Sequence, residues 1–386
     1  MPGCAIIQSL RTAYPNAFSD DPCDAPRRFH RSMPGYARTP LVESPELARR
    51  TGTGRVLVKN EQHRLGLPSF KILGSSWGIH RTLCERLGLD PAISFEELRH
   101  AVGPLRDHVL TCATDGNHGR AVAHMAGLLD MRARIYVPNE VSMARSAAIE
   151  GEGAQVVRVY ASYDDAVRYV AVQAERDPHA ILVSDTAWPG YETVPRRVID
   201  GYSTIFHEVD EQLAEMGLDP MDTPDLVIVP AGVGAFAAAV GLHFGSRAAT
   251  RIATVEPDTA DCVHRSLAAG VRTTVQGPHR SIMAGLNCGE TSVVAWPILR
   301  GTVDAAITVD DHGVREAMRV FAGCGIESGE SGAASLAGAL LVSADREFRE
   351  GLGLTQDSTI LLLNTEGASD PASYRSIVGD LSAANG

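Results

Sequence analysis

Pro68-Ser69-Phe70-Lys71-Ile72-Leu73-Gly74 is the stretch on which the reading of this chain turns. It sets one lysine among apolar residues, after a strand-like run (Val56-Leu57-Val58-Lys59) and before a helix-compatible one. Apolar surroundings disfavour the charged ammonium and so lower a lysine's pKa. A lysine neutral near pH 7 can attack an aldehyde and form a Schiff base. Taken alone, the same pattern also describes a surface lysine whose stem covers apolar neighbours.

Outward from this stretch, strand-like apolar runs alternate with helical patterns. The runs are Val56–Val58, Val109–Ala113, Arg134–Val137, Gln155–Val159, Ile181–Val183, Leu226–Val229, Ile252–Val255, Ala306–Val309 and Thr359–Leu363. Between them lie segments with helical spacing, such as Ser142–Glu150 and Tyr163–Arg176. This alternation predicts an α/β fold with mostly parallel sheets. Runs without period-2 alternation predict strands covered on both faces. The first forty residues read as an irregular arm packed on the body. Thr111–Arg120 reads as a loop entering a helix at Ala121, and Met216–Pro224 as a turn-rich junction between lobes.

The chain has 386 residues, enough for two lobes. A net charge of −12 and the lack of a basic stripe argue against nucleic acid as a partner. No apolar run approaches the ~20 residues of a membrane span. The seven cysteines are scattered, odd in number and without a Cys-x-x-Cys pair. That is reduced, intracellular usage, and with no signal-peptide pattern at the N-terminus it predicts a cytoplasmic protein. His118 and His124 are six apart and do not share a helix face, so no metal site is expected.

Further segments carry chemistry. Pro230-Ala231-Gly232-Val233-Gly234-Ala235-Phe236 follows a strand and opens the helical run Ala237–His243. Glycines there let backbone N–H groups and a helix N-terminus meet an anion. Two ligands compete for this turn. Gly232-x-Gly234-x-x-Ala237 with Glu256 about twenty residues on resembles a dinucleotide fingerprint, which would make the chain an NAD enzyme. A lone phosphate, such as that of pyridoxal 5′-phosphate (PLP), needs only the turn and the helix end. Thr114-Asp115-Gly116-Asn117-His118-Gly119-Arg120 offers hydroxyl and amide groups for a carboxylate or a ring hydroxyl, with Asp115 suited to an ammonium or a proton. Ser184-Asp185-Thr186-Ala187-Trp188-Pro189-Gly190-Tyr191 places a second acid at a strand end beside aromatics. Glu327–Ala333 and Asn364-Thr365-Glu366-Gly367 complete the set, the latter again at a strand end, where open α/β sheets carry their sites.

Together these segments resemble the fold-type II PLP enzymes, the threonine dehydratase and cysteine synthase group. The resemblance runs from Phe29-His30-Arg31-Ser32-Met33-Pro34-Gly35-Tyr36 to Asp370 and includes Ile282–Glu290. Within the group, the chain is most similar to the branch of ammonia-lyases that act on 2,3-diaminopropionate. The resemblance implies two lobes, each with an open, mostly parallel sheet flanked by helices. Residues 1–90 and 217–386 would form a large phosphate-binding lobe and 91–216 a small substrate-side lobe. It implies that Lys71 carries PLP covalently and acts as a base, with Phe70 beside it. Asn117 would meet the ring hydroxyl, Gly232, Val233, Gly234 and Ala235 the phosphate, and Thr365 the pyridine nitrogen. Asp115 and Asp185 would be the catalytic acids, with Ser75, Thr114, His118 and Tyr191 joining them around a small amino-acid substrate. A homodimer is implied.

The chain departs from the group's pattern at Ser75-Ser76-Trp77, Asn287, Pro68 and Pro189. Those departures leave room for β-elimination or β-replacement on another β-substituted amino acid, of the serine, threonine, hydroxyaspartate or O-acylserine type. A non-catalytic PLP-binding module is a further reading, though such a module would most naturally lack Lys71 or the acid pair.

Overall fold

The computed structural model describes residues 3–6 and 24–379. Residues 1–2 and 7–23 of the expected N-terminal arm, Cys23 among them, lie outside the described residues, and the described part is not irregular throughout, because Ala25–Ser32 form a helix. The strands are β1 (Gly3–Ile6), β2 (Leu41–Glu43), β3 (Arg55–Asn60), β4 (Val109–Ala113), β5 (Arg132–Pro138), β6 (Gln155–Val159), β7 (Ala180–Leu182), β8 (Leu226–Pro230), β9 (Arg251–Pro257), β10 (Ala305–Val309) and β11 (Thr359–Asn364).

They form two sheets. A seven-stranded sheet has the order β1-β10-β9-β8-β11-β3-β2, and a four-stranded one the order β6-β5-β4-β7. Every pairing is parallel except those of β1 with β10 and β2 with β3. Helices cover both faces of the larger sheet, which is why β8, β10 and β11 are buried along their whole length. Alternate residues feed two cores. Leu57, Val227, Val229 and Leu361 belong to one, which continues to Leu110 and Ile135 of the smaller sheet. Val56, Val58, Ile228, Ile360 and Leu362 belong to the other, on the opposite face. The fold is α/β, with parallel-dominated sheets flanked by helices.

All nine expected runs are strands, within one or two residues at their ends. The two that sequence reading missed, β1 and β2, are the short antiparallel edges. The helix expected to begin at Ala121 begins at Asn117, and the one expected at Ala237 begins at Ala235. Both glycine-bearing loops are therefore shorter than read, and their polar residues stand at helix starts.

The helix Lys71–Leu87 ends at Gly88, where φ is +64° and the N–H meets the Cys84 and Glu85 carbonyls. It lies tightly against the helix Thr193–Gly201. A Cβ at Gly201 would stand 2.6 Å from the Leu73 carbonyl, and one at Gly74 would stand 2.5 Å from the Tyr202 ring. The turn that delivers Lys71 is anchored by a buried ionic cluster. Glu208 accepts from Lys59 and Arg64 at 2.7 Å each, and Arg64 also donates to Glu61 at 2.7 Å. These side chains are essentially unexposed, so removing one partner would strand a buried charge.

Candidate active site

Lys71 opens its helix with Nζ 2.7 Å from Asp185 Oδ2 and 5.5 Å from the Phe70 ring centroid. Asp185 lies three residues past β7. Its Oδ1 accepts from the Tyr163 hydroxyl at 3.3 Å, and its Oδ2 is 3.8 Å from His118 Nδ1. Burial pulls the Lys71 ammonium down, but the Asp185 carboxylate and the other acidic neighbours outweigh it and hold the pKa above its ordinary value. The expectation of a lysine neutral near pH 7 is therefore corrected. The residues adjacent in sequence are apolar, but those adjacent in space are acids. Burial likewise pushes Asp185 up, but Lys71 and His118 bring it down well below the usual carboxylate range.

Asp115 lies just past the end of β4 and lines the same cavity as Lys71, Asp185 and Tyr163. Burial pushes its carboxyl up to about 6, against the opposing pull of Lys71 and Arg145. One acid thus favours its charged form at all ordinary pH, while the other is half protonated near pH 6, a separation typical of groups with distinct proton-transfer roles.

The glycine turn forms another wall. β8 runs into Pro230, and the helix Ala235–Phe244 begins after Gly234. Gly234 has φ +89°, and a Cβ there would stand 2.7 Å from Leu299 Cδ1. A Cβ at Gly232 would stand 3.0 Å from the Gly285 carbonyl. The turn thus holds backbone close to the cavity where no side chain fits. The Phe236 ring lies 4.2 Å from that of Phe70 and joins the turn to the lysine segment. Thr365, at the end of β11, lines the cavity and accepts the Phe70 N–H at its carbonyl, 3.3 Å away.

Lys71, Phe70, Asp115, Asn117, Asp185, Gly232, Val233, Gly234, Ala235 and Thr365 all line this one cavity. Four expected substrate residues do not. Ser75 donates to the Lys71 carbonyl at 3.0 Å within its own helix. Thr114 accepts the Gly116 and Gly119 N–H groups at 3.0 and 2.9 Å and shapes the loop from behind. Tyr191 donates to the Leu182 carbonyl at 2.9 Å and stacks on Trp188. His118 is buried with Nε2 on the Val183 carbonyl at 2.8 Å, so it stands behind Asp185. Polar residues in glycine-rich loops satisfy the loop's own backbone first. Glu256 does not hold a ribose either. It accepts the Val263 and His264 N–H groups at 2.7 and 2.6 Å, at the start of the helix Cys262–Ala269.

Sequence reading missed Tyr163, Cys288, Ser331 and Glu366, which line the cavity. Glu366, Ser331 and Cys288 belong to motifs that had drawn notice. Tyr163 had no signal beyond its place after Ser162, which caps its helix. The cavity leads into a larger cleft that shares Asp115 and Tyr163 and is rimmed by Arg145, Glu330 and His279. Among the described residues no group of three or more His, Cys, Asp or Glu is placed to hold a metal ion.

Residues 33–366 match the family model described as "Pyridoxal-phosphate dependent enzyme", and the chain belongs to that family. Among curated proteins, it is 38% identical over 373 residues to the diaminopropionate ammonia-lyase of Escherichia coli K12, covering 94% of this chain and 92% of that one. Among solved structures, the holo form of the E. coli diaminopropionate ammonia-lyase superposes with a TM-score of 0.90 at 36% identity, covering 98% of this chain and 97% of that one. The same E. coli enzyme in complex with D-serine also gives 0.90, at 35% identity and the same coverage.

The cavity fits the family's cofactor, PLP. It offers a lysine amine for an aldehyde, a glycine cradle where a Cβ would clash, and a buried Ser331 hydroxyl that has no hydrogen-bond partner among the described residues.

Proposed function

We propose that this chain catalyses the α,β-elimination of ammonia from 2,3-diaminopropionate. With one water, the diamino acid gives pyruvate and two ammonia molecules. The observation that carries the reading is the pairing of Lys71 with Asp185 at 2.7 Å, with Asp115 lining the same cavity. Similarity over nearly the full length to proteins named for this activity supports it.

Lys71 would hold PLP through Nζ, the Gly232–Ala235 turn its phosphate, Asn117 its ring hydroxyl and Thr365 or Ser331 its ring nitrogen. Bound PLP is an electron sink that makes the substrate's Cα proton acidic. Lys71 Nζ would take that proton from the L-isomer, and Asp115, which lines the same cavity, would take it from the D-isomer. A neutral amine is a poor leaving group, so a proton must reach the β-nitrogen as the C–N bond breaks. Asp185 holds that amine, and the Tyr163 hydroxyl beside it steadies its carboxylate. The unsaturated product released from the site hydrolyses to pyruvate and the second ammonia. Ser75, Ser76 and Trp77, where the chain departs from the group's pattern, are buried and do not line the cavity. This weighs against a different β-substituent.

The division into lobes at 1–90 with 217–386, and 91–216, is supported by the two sheets. The larger draws on strands up to Asn60 and from Leu226 onward, the smaller on strands from Val109 to Leu182. We further propose that the chain works as a cytoplasmic homodimer. Five free cysteines among the described residues support a reducing compartment, and the dimer follows from the group it resembles. No helix among the described residues is long and apolar enough to cross a membrane.

Pyruvate release from L- and D-diaminopropionate, serine and threonine tests the reaction. The diamino acid should turn over faster than either hydroxy amino acid, and preferential turnover of serine or threonine would overturn the assignment. Light scattering of the purified protein tests the dimer.

A further inference from the structure

Glu366 has no role in the reaction outlined above, yet it stands where the two sheets meet across the cavity. It follows Thr365 at the end of β11 and is buried. Its Oε1 accepts the Ser331 N–H at 2.9 Å. Its Oε2 accepts from the Asn117 amide, at the start of the first helix after β4. Ser369 Oγ lies 3.1 Å from Asn117 Oδ1 and 3.2 Å from Glu366 Oε2. The backbone at 366 is tied as firmly. It bridges to Ser69, two residues before Lys71, and its carbonyl accepts the Gly329 N–H at 3.0 Å. A Cβ at Gly329 would stand 2.9 Å from Glu366 Oε1, so the carboxyl has little room to move.

An asparagine amide can present either its oxygen or its NH₂ in a given direction. A carboxylate accepts only, so Asn117 must turn its NH₂ toward Glu366. Ser369 meets the other end of the amide with a hydroxyl. One of the two amide N–H bonds is then committed to Glu366, and the second remains available.

We infer that Glu366, aided by Ser369, is a positioning residue that fixes Asn117 as a hydrogen-bond donor toward the ring oxygen of PLP. The inference rests on the reading of Asn117 given above and deepens it. A donor at that oxygen favours its deprotonated form. In Glu366→Gln the glutamine amide can accept or donate, so it no longer dictates which way Asn117 faces. The charge-assisted bond is lost as well.

The test is titration of PLP into the apo-protein, followed by the visible absorption of the bound cofactor across pH. Glu366→Gln should weaken PLP binding on the order of tenfold. It should also move the pH midpoint of the visible band upward, by about one unit for a tenfold loss of preference for the deprotonated oxygen. Ser369→Ala should move the midpoint the same way by less, and it covers the case in which Glu366→Gln does not fold. Asn117→Ala should reproduce the Glu366→Gln shift, and combining the two should add nothing further. A wild-type midpoint in both Glu366→Gln and Ser369→Ala would overturn the inference, as would additive shifts in the double variant, because a purely structural role would not act through Asn117. Wild-type protein that takes up no PLP would remove the cofactor reading and this inference together. Uptake of PLP without any pyruvate release would remove the proposed substrate and leave the inference standing.

Discussion

Around one cavity the two sheets present different materials. The seven-stranded sheet brings mostly backbone: the turn Gly232–Ala235 after β8 and the end of β11 at Thr365 and Glu366, with Lys71 arriving on the helix beyond β3. The four-stranded sheet brings side chains: Asp115 and Asn117 after β4, Tyr163 after β6 and Asp185 after β7. All these positions follow the carboxyl ends of parallel strands, where an open α/β sheet leaves a crevice. Backbone held by a rigid, doubly covered sheet suits a cofactor whose place does not change. Side chains on short strands and helix starts suit proton transfers, where charge state matters more than shape. Only Lys71 is proposed for both, and Asp185 draws it toward the smaller sheet's side chains at 2.7 Å.

The sharpest break of this comparison is Lys71→Ala, which removes the one residue shared by both tasks. Pyruvate release should fall by at least about 10⁴-fold, as expected when a nucleophile and base is lost. Borohydride reduction and peptide mapping of the wild-type chain should place the pyridoxyl group on Lys71.

Asp115→Asn probes the smaller sheet alone. Activity on the D-isomer should drop roughly 10²–10⁴-fold, while the L-isomer keeps much of its rate and PLP affinity stays as in the wild type. Asp185→Asn should lower both isomers. Equal losses on both isomers from Asp115→Asn would merge the roles drawn here for the two acids.

Gly234→Ala probes the larger sheet alone. An L-residue at φ +89° is strained, and its Cβ would press on Leu299 at 2.7 Å. A cost of about 1–3 kcal/mol in stability is expected. PLP affinity should fall by roughly tenfold, and the D-to-L activity ratio at saturating PLP should not change.

The smallest effect is on pH. Asp115, raised to about 6, acts as a base only when deprotonated. The kcat/KM for the D-isomer should therefore fall on the acid side of about pH 6, approaching tenfold per unit. In Asp115→Asn that acid limb should disappear from whatever D-isomer activity remains.

Much of this arrangement is legible in the chain, and the reason is local. Runs such as Leu226–Val229, and Thr359–Leu363 after its first residue, are apolar without interruption, which marks covered parallel strands, and each is followed by its loop motif. The edge strands give a weaker mark: Gly3–Ile6 is apolar but made mostly of small residues, and Leu41–Glu43 is three residues ending in an acid. They are short and exist as strands only because they pair with β10 and β3. Ser75, Thr114 and Tyr191 are polar residues beside motifs, yet their hydroxyls satisfy nearby backbone. Spacing cannot tell a residue that faces a ligand from one that holds the loop in place.

The sequence by itself determined the α/β alternation, the lysine, the glycine turn and the acids at strand ends, because strand patterns, φ > 0 turns and residue chemistry are properties of a few neighbours in the chain. Tertiary structure decided the rest. Lys71 sits 114 positions from Asp185, and Asn117 sits 249 from Glu366. No local pattern couples residues so far apart. Their pairing, and the charge each holds because of it, arises only when two sheets close on one cavity.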